Sequence, residues 1–280
     1  MAKRIISTIG LWSVTIGVLY AFGIAGAVWI VAIVAVASQH ELYTMFEKMG
    51  ERPFRALGLI LGLVMILASY YTNAIFSHGE MQGLDAGIIA VCIVIACIRI
   101  MRERDSSNRL ETIVYTVFGL VYIPFMLNFE IRVMALPEDP KIGLMLGIWV
   151  VAVTKFCDVG ALLVGMVIGR TKMAPHASPK KTWEGAVGGV IIAALVGAGL
   201  VLVFPNLFPP TLTPLIAALT AVPVASAGIV SDLIESIFKR RAEIKDSGKW
   251  IPGIGGAFDL ADSLILGAPV AYFLFRAIFS

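Results

Sequence analysis

Charge is scarce in this sequence. Asp, Glu, Lys and Arg make up 15% of its 280 residues, whereas a water-soluble domain carries about 25%. That shortage excludes an ordinary soluble core, because soluble helices need a polar face and apolar runs of about 20 residues recur here. Cysteine is scarce too. Cys92, Cys97 and Cys157 are the three present. Each lies in an apolar stretch without metal-ligand spacing, which excludes a disulfide framework and leaves them as small core residues. There is no low-complexity tract, no Pro/Ser-rich linker and no internal repeat of the transporter kind. No convincing small-residue cleavage site follows the first apolar run, so that run is expected to stay as a membrane segment.

What is present is hydrophobicity. Apolar residues make up 59% of the chain, and the mean hydropathy is +0.90. The run 5–38 exceeds one span of roughly 20 residues, so a helical hairpin is expected, broken near residues 23–26. Further runs cover 56–75, 85–100, 112–129, 142–168, 185–204, 211–231 and 260–279. The expected fold is an all-α polytopic transmembrane bundle of about nine spans. It forms a single membrane domain, with scaffold and lipid-facing spans in 1–140 and catalytic spans and loops in 141–280.

The net charge of +3 says little, but its placement says more. With the N-terminus in the cytoplasm, the inner segments hold Lys3 and Arg4; Lys48, Arg52 and Arg55; Arg99, Arg102, Arg104 and Arg109; Arg170, Lys172, Lys180 and Lys181; and Lys239, Arg240, Arg241, Lys245 and Lys249. These are 18 of the 22 basic residues. The outer loops hold only Arg132 and Lys141, as the positive-inside rule predicts.

Three features carry chemistry. Lys155 and Asp158 share a helix face inside an apolar run. Such a pair serves function or merely joins helices, and spacing alone does not decide. Next, Gly169-Arg170-Thr171-Lys172 precedes Ser178-Pro179-Lys180-Lys181-Thr182-Trp183-Glu184-Gly185. Lysines and helix-terminal N–H groups suit phosphate oxygens. Flanking charge with an N-cap is the plainer reading, but the Ser-Pro and Trp-Glu-Gly context is unusual for a mere flank. Third, Asp232, Glu235 and Ser236 share one face at the end of a span. A basic loop, a glycine-rich turn and the pair Asp259 and Asp262 follow. Carboxylates at both ends of a basic loop can converge on Mg²⁺. Helix capping accounts for Asp259 but not for Asp232. The residues thus point to a phosphorylated, partly lipidic substrate and a divalent metal, and leave the nucleotide and lipid open.

At these residues the chain resembles the phosphatidate cytidylyltransferase, or CDP-diacylglycerol synthase, family. The likeness runs through Asp158-Val159-Gly160-Ala161, Gly169-Arg170 and Ser178 to Gly185. It continues through Ser236-Ile237-Phe238-Lys239-Arg240, Lys245-Asp246, Pro252-Gly253-Ile254-Gly255-Gly256 and Asp259-Leu260-Ala261-Asp262. Ile254 stands where the family has His, and Leu260 where it has Arg. Arg241 and Lys249 are candidates to replace the lost contacts.

The resemblance implies that CTP and phosphatidic acid give CDP-diacylglycerol and pyrophosphate. The implied metal ligands are Asp158, Asp232, Asp259 and Asp262, holding Mg²⁺ and a second cation such as K⁺. Lys239, Arg240 and Lys245 join the aspartates as catalytic residues. Ser178, Lys180, Lys181, Thr182, Ser236 and Arg170 bind substrate. No general base is needed, because phosphatidate is already largely anionic at neutral pH. The resemblance further implies a multi-pass cell-membrane enzyme with its site facing the cytoplasm. Its partners are CTP and membrane phosphatidic acid, with a homodimer and no nucleic acid. A CTP-dependent lipid kinase and a cation-coupled transporter using Lys155 and Asp158 are the competing readings.

Overall fold

A computed structural model of the chain describes residues 2–72, 83–102, 109–248 and 255–279. The expected phosphate contact Lys249 and the turn residues Pro252, Gly253 and Ile254 lie outside the described residues, as does Arg104. The described chain is almost wholly helical, as the apolar runs require. Inside a bilayer each backbone polar group needs an internal partner, and a helix supplies one for every residue.

The helices are α1 (Ala2–Lys48), α2 (Arg55–Tyr71), α3 (Leu84–Arg102), α4 (Arg109–Leu120), α5 (Met126–Met134), α6 (Pro140–Ile168), α7 (Trp183–Val203), α8 (Pro214–Arg241) and α9 (Ala257–Phe279). A short antiparallel hairpin, β1 (Lys172–Ala174) and β2 (Ser178–Thr182), joins α6 to α7. Among the described residues, seven apolar helical stretches are long enough to cross a bilayer, the one at 110–134 joining α4 to α5, and α2 is a shorter apolar helix. The chain is a polytopic membrane protein of the all-α class.

The break expected in the first run is present. Gly23 has φ 56° and ψ −133°, a conformation essentially reserved for glycine. A Cβ at Gly26 would lie 2.8 Å from the carbonyl oxygen of Val18, eight residues back and about 12 Å away in an unbroken helix. The run 112–129 holds a surprise. A π-helical turn, Val121–Phe125, separates α4 from α5 and contains Pro124. Proline lacks the N–H that the ladder needs, and a widened turn absorbs the defect.

The chain divides into two compact units. One comprises Met1–Ile131 and Arg241–Ala261, the other Arg132–Arg240 and Asp262–Ser280. The first packs Met65, Ile88, Cys92 and Leu120 together. Two of its buried polar side chains donate to backbone carbonyls. The Gln39 amide donates to the Gly58 carbonyl at 3.0 Å and the Tyr43 hydroxyl to the Thr116 carbonyl at 2.8 Å.

The second unit is built on Trp149, Val150, Val153, Val224, Ala271 and Phe275. The Trp149 ring meets Phe275 at 5.1 Å, and its indole N–H donates to the Gly197 carbonyl at 3.0 Å. Small residues let α6 and α7 approach closely. A Cβ at Gly189 would lie 2.6 Å from the Cys157 carbonyl oxygen and 2.9 Å from the Ala161 methyl group. Gly189→Val should therefore destabilise the protein by about 1–3 kcal/mol, read as a lowered melting temperature in detergent. Gly199→Val is the control, since a Cβ there meets nothing within 4 Å. Equal melting of the two variants would contradict this packing.

Candidate active site

Three helices of the second unit meet through small side chains. A Cβ at Gly228 of α8 would lie 3.3 Å from the Ser263 carbonyl oxygen of α9. One at Gly267 of α9 would lie 2.9 Å from the Thr154 methyl group of α6. The Ser231 hydroxyl donates to the Asp262 carbonyl oxygen, pinning α8 to α9 at the next turn. The contact sets the next residues of α8, Asp232 and Glu235, beside Asp262. One carboxylate oxygen of each lies within 4.8 Å of the other two. Glu235 and Asp262 are buried, and Asp232 is half-buried.

Three carboxylates this close repel one another, and burial raises the cost of their charge. A lysine answers each. Lys181 pairs with Asp232. The Lys239 ammonium lies 2.9 Å from Glu235 Oε2, and that of Lys155 lies 3.1 Å from Asp262 Oδ1. Lys155 also lies 3.6 Å from Asp158 Oδ2 and donates to the Ser263 hydroxyl at 2.9 Å. The pair seen in the sequence is thus one edge of a larger cluster.

Lys181 arrives on the β-hairpin. Lys172 pairs with Thr182 and Ala174 with Ser178 across it. Thr182 caps α7, accepting from the Gly185 N–H at 3.2 Å. The Glu184 carboxylate accepts from the Arg170 and Thr171 N–H groups at 3.1 Å, fixing the base of the hairpin. Arg240 at the end of α8 donates to the Ala177 carbonyl at 3.2 Å and holds its tip. Ser178 and Ser236 are half-buried; Lys180, Arg170 and the Arg240 side chain are exposed.

In the first unit, Asp259 accepts three hydrogen bonds at the start of α9. They come from the Ser247 N–H at 3.2 Å, the Ser247 hydroxyl at 2.9 Å and the Gly256 N–H at 2.7 Å. Lys245, two residues before Ser247, is exposed. Glu41 shares the task, although its sequence context gave it no role. It is buried on α1 and accepts from the Ala257 N–H at 3.1 Å, the Phe258 N–H at 2.9 Å and the Ser247 hydroxyl at 2.7 Å. Gly256 is glycine because any Cβ would strike Glu41 and Ser247. The available signal was an acidic residue near the end of an apolar run. Glu235 shared its recognised face with Asp232 and Ser236 but was not assigned a metal role.

The donor set of Asp232, Glu235 and Asp262 is all carboxylate oxygen. Hard oxygen donors, few enough to leave room for water and phosphate, suit Mg²⁺. The sulfur nearby is no rival, since the Cys157 thiol faces the Ala225 carbonyl oxygen at 3.9 Å.

The sequence model of the Cytidylyltransferase family matches residues 2–278. The chain belongs to this family. Its relatives include bacterial proteins that bear the name phosphatidate cytidylyltransferase. The one from Chlamydia pneumoniae is 28% identical over 256 residues, covering 87% of this chain and 80% of its own. That from Bacillus subtilis is 30% identical, covering 80% and 78%. That from Haemophilus influenzae is 37% identical over a shorter stretch, 61% and 59%. A cytidylyltransferase is a nucleotidyltransferase enzyme, and the family is in general metal-dependent, as the acidic cluster here would allow.

Glu41 yields a test of the loop's anchoring in this family member. Glu41→Gln puts an amide donor against backbone donors and should cost about 1–3 kcal/mol. Limited proteolysis should then cut faster within residues 242–256, while cutting elsewhere stays constant. An unchanged cleavage pattern and melting temperature would show that Glu41 does not hold the loop.

Proposed function

We propose that this chain is a CTP:phosphatidate cytidylyltransferase, making CDP-diacylglycerol and pyrophosphate from CTP and phosphatidic acid for phospholipid synthesis. The observation that carries this reading is the lysine-backed carboxylate cluster at Asp232, Glu235 and Asp262. It sits on apolar helices of a chain that matches the cytidylyltransferases along nearly its whole length.

Asp232, Glu235 and Asp262 would hold Mg²⁺. When bound, the ion supplies charge neutralisation to the triphosphate and polarises the reacting phosphorus. The lipid phosphate oxygen attacks the α-phosphorus of CTP, and the bond to the β-phosphate oxygen breaks. The attacking oxygen already carries charge at neutral pH, so no residue need remove a proton. The chain's part is positioning and neutralisation. Lys181 and Lys239 stand beside the carboxylates and present cations to phosphate oxygens. Lys180, Arg170 and Arg240 extend that basic surface, and Ser178, Thr182 and Ser236 add hydroxyls. To Asp259 we assign the ordering of the turn after Lys245. The apolar faces of the surrounding helices leave the diacylglycerol tails in lipid. The excess of Lys and Arg in the basic loops supports a site on the cytoplasmic side of the cell membrane.

Purified protein given Mg²⁺, phosphatidate and CTP labelled at the α-phosphate should transfer label to lipid and release unlabelled pyrophosphate. Asp232→Asn should lower that rate about a thousandfold, near 4 kcal/mol of barrier. With CTP labelled at the γ-phosphate instead, transfer of label to lipid would make the chain a lipid kinase. Ion-driven uptake without CTP turnover would make it a transporter.

The orientation has its own test. A single cysteine at position 245, in a variant lacking Cys92, Cys97 and Cys157, should react with an impermeant maleimide only after cells are opened. One at position 138 should react in intact cells. The reverse pattern would invert the topology.

A further inference from the structure

We infer that the Lys155 ammonium is the site's second cation, so that this enzyme works with one divalent ion where two carboxylate-bridged ions would otherwise sit. The inference rests on the metal role proposed for Asp232, Glu235 and Asp262. Lys155 Nζ stands between the two carboxylates that a second ion would bridge. It lies 3.1 Å from Asp262 Oδ1 and 3.6 Å from Asp158 Oδ2. The Ser263 hydroxyl at 2.9 Å is its third oxygen partner. An ammonium has three N–H donors, and this pocket offers three oxygens.

The lysine is also held in place from both sides along α6. Thr154 is fully buried, with its methyl group against the Gly267 position, and Cys157 is buried against the Ala225 carbonyl. Its backbone therefore cannot swing the ammonium away while α6 stays packed. A divalent ion entering between Asp158 and Asp262 would meet that like charge at hydrogen-bonding range and be repelled.

The charge balance agrees. Asp158, Asp232, Glu235 and Asp262 face Lys155, Lys181 and Lys239, which leaves one formal negative charge. One divalent ion turns the site to one positive charge, a sign that accepts an anionic phosphate. A covalently tethered cation also frees the site from dependence on a monovalent ion such as K⁺.

Manganese paramagnetic resonance on the full-length protein in detergent tests this. The wild type should bind one Mn²⁺ per chain with no spin-coupled pair. Its turnover should change less than about twofold when K⁺ is replaced by tetramethylammonium at equal ionic strength. Lys155→Met should bind a second Mn²⁺, or acquire a K⁺ requirement, while Lys155→Arg keeps the wild-type stoichiometry. Two Mn²⁺ in the wild type, a K⁺ requirement in the wild type, or Lys155→Met behaving like wild type would overturn the inference. Should Lys155→Met not fold, the two wild-type measurements decide. No Mn²⁺ binding at all, or binding untouched by Asp232→Asn, would instead overturn the metal site itself.

Discussion

Carboxylates inside an apolar helix bundle need a cation or hydrogen-bond donors to offset their charge, and much of this structure follows from how they find them. An unpaired carboxylate in such surroundings costs several kcal/mol. The second unit carries four of them, on α6, α8 and α9, and pairs them with lysines from α6, the hairpin and α8. The pairing explains features that look unrelated. The hairpin is braced at its base by Glu184 and at its tip by Arg240, which steadies Lys181 against Asp232. The helices cross at Gly228, Ser231 and Gly267, because larger residues there would hold the carboxylates apart.

The first unit meets the same constraint differently. Glu41 and Asp259 accept backbone N–H groups at the start of α9 and the Ser247 hydroxyl. The open N–H groups of a helix start are a natural partner for negative charge. Lysine-paired carboxylates keep cations next to oxygen donors, which suits the metal and phosphate site proposed above. Backbone-paired carboxylates make rigid joints. The two kinds of pairing thus divide between chemistry and scaffold.

Most helices were legible because each apolar run is a near-direct image of a span. The break at Gly23 was legible from excess length and clustered glycines. The π turn at Val121–Phe125 was not, since Pro124 alone does not say whether a helix ends or widens. At the site, Asp232, Asp262, Lys155 and Asp158 stood out as charges in apolar surroundings. The convergence of the carboxylates was expected, but the link from Lys155 to Asp262 was not, because it spans 107 residues and no local pattern records it. Glu235 shared a recognised face with Asp232 yet drew no metal role, because the family motif begins at Ser236. Glu41 was harder to read for a different reason: two of its three partners are backbone N–H groups, which leave no mark in a sequence.

The proposed chemistry requires that Asp232, Glu235 and Asp262 together hold a divalent ion. Crystals soaked in Mn²⁺ test it directly through the anomalous difference map. A peak is expected within coordinating distance of all three carboxylates. A peak elsewhere that leaves these three uncoordinated would contradict it.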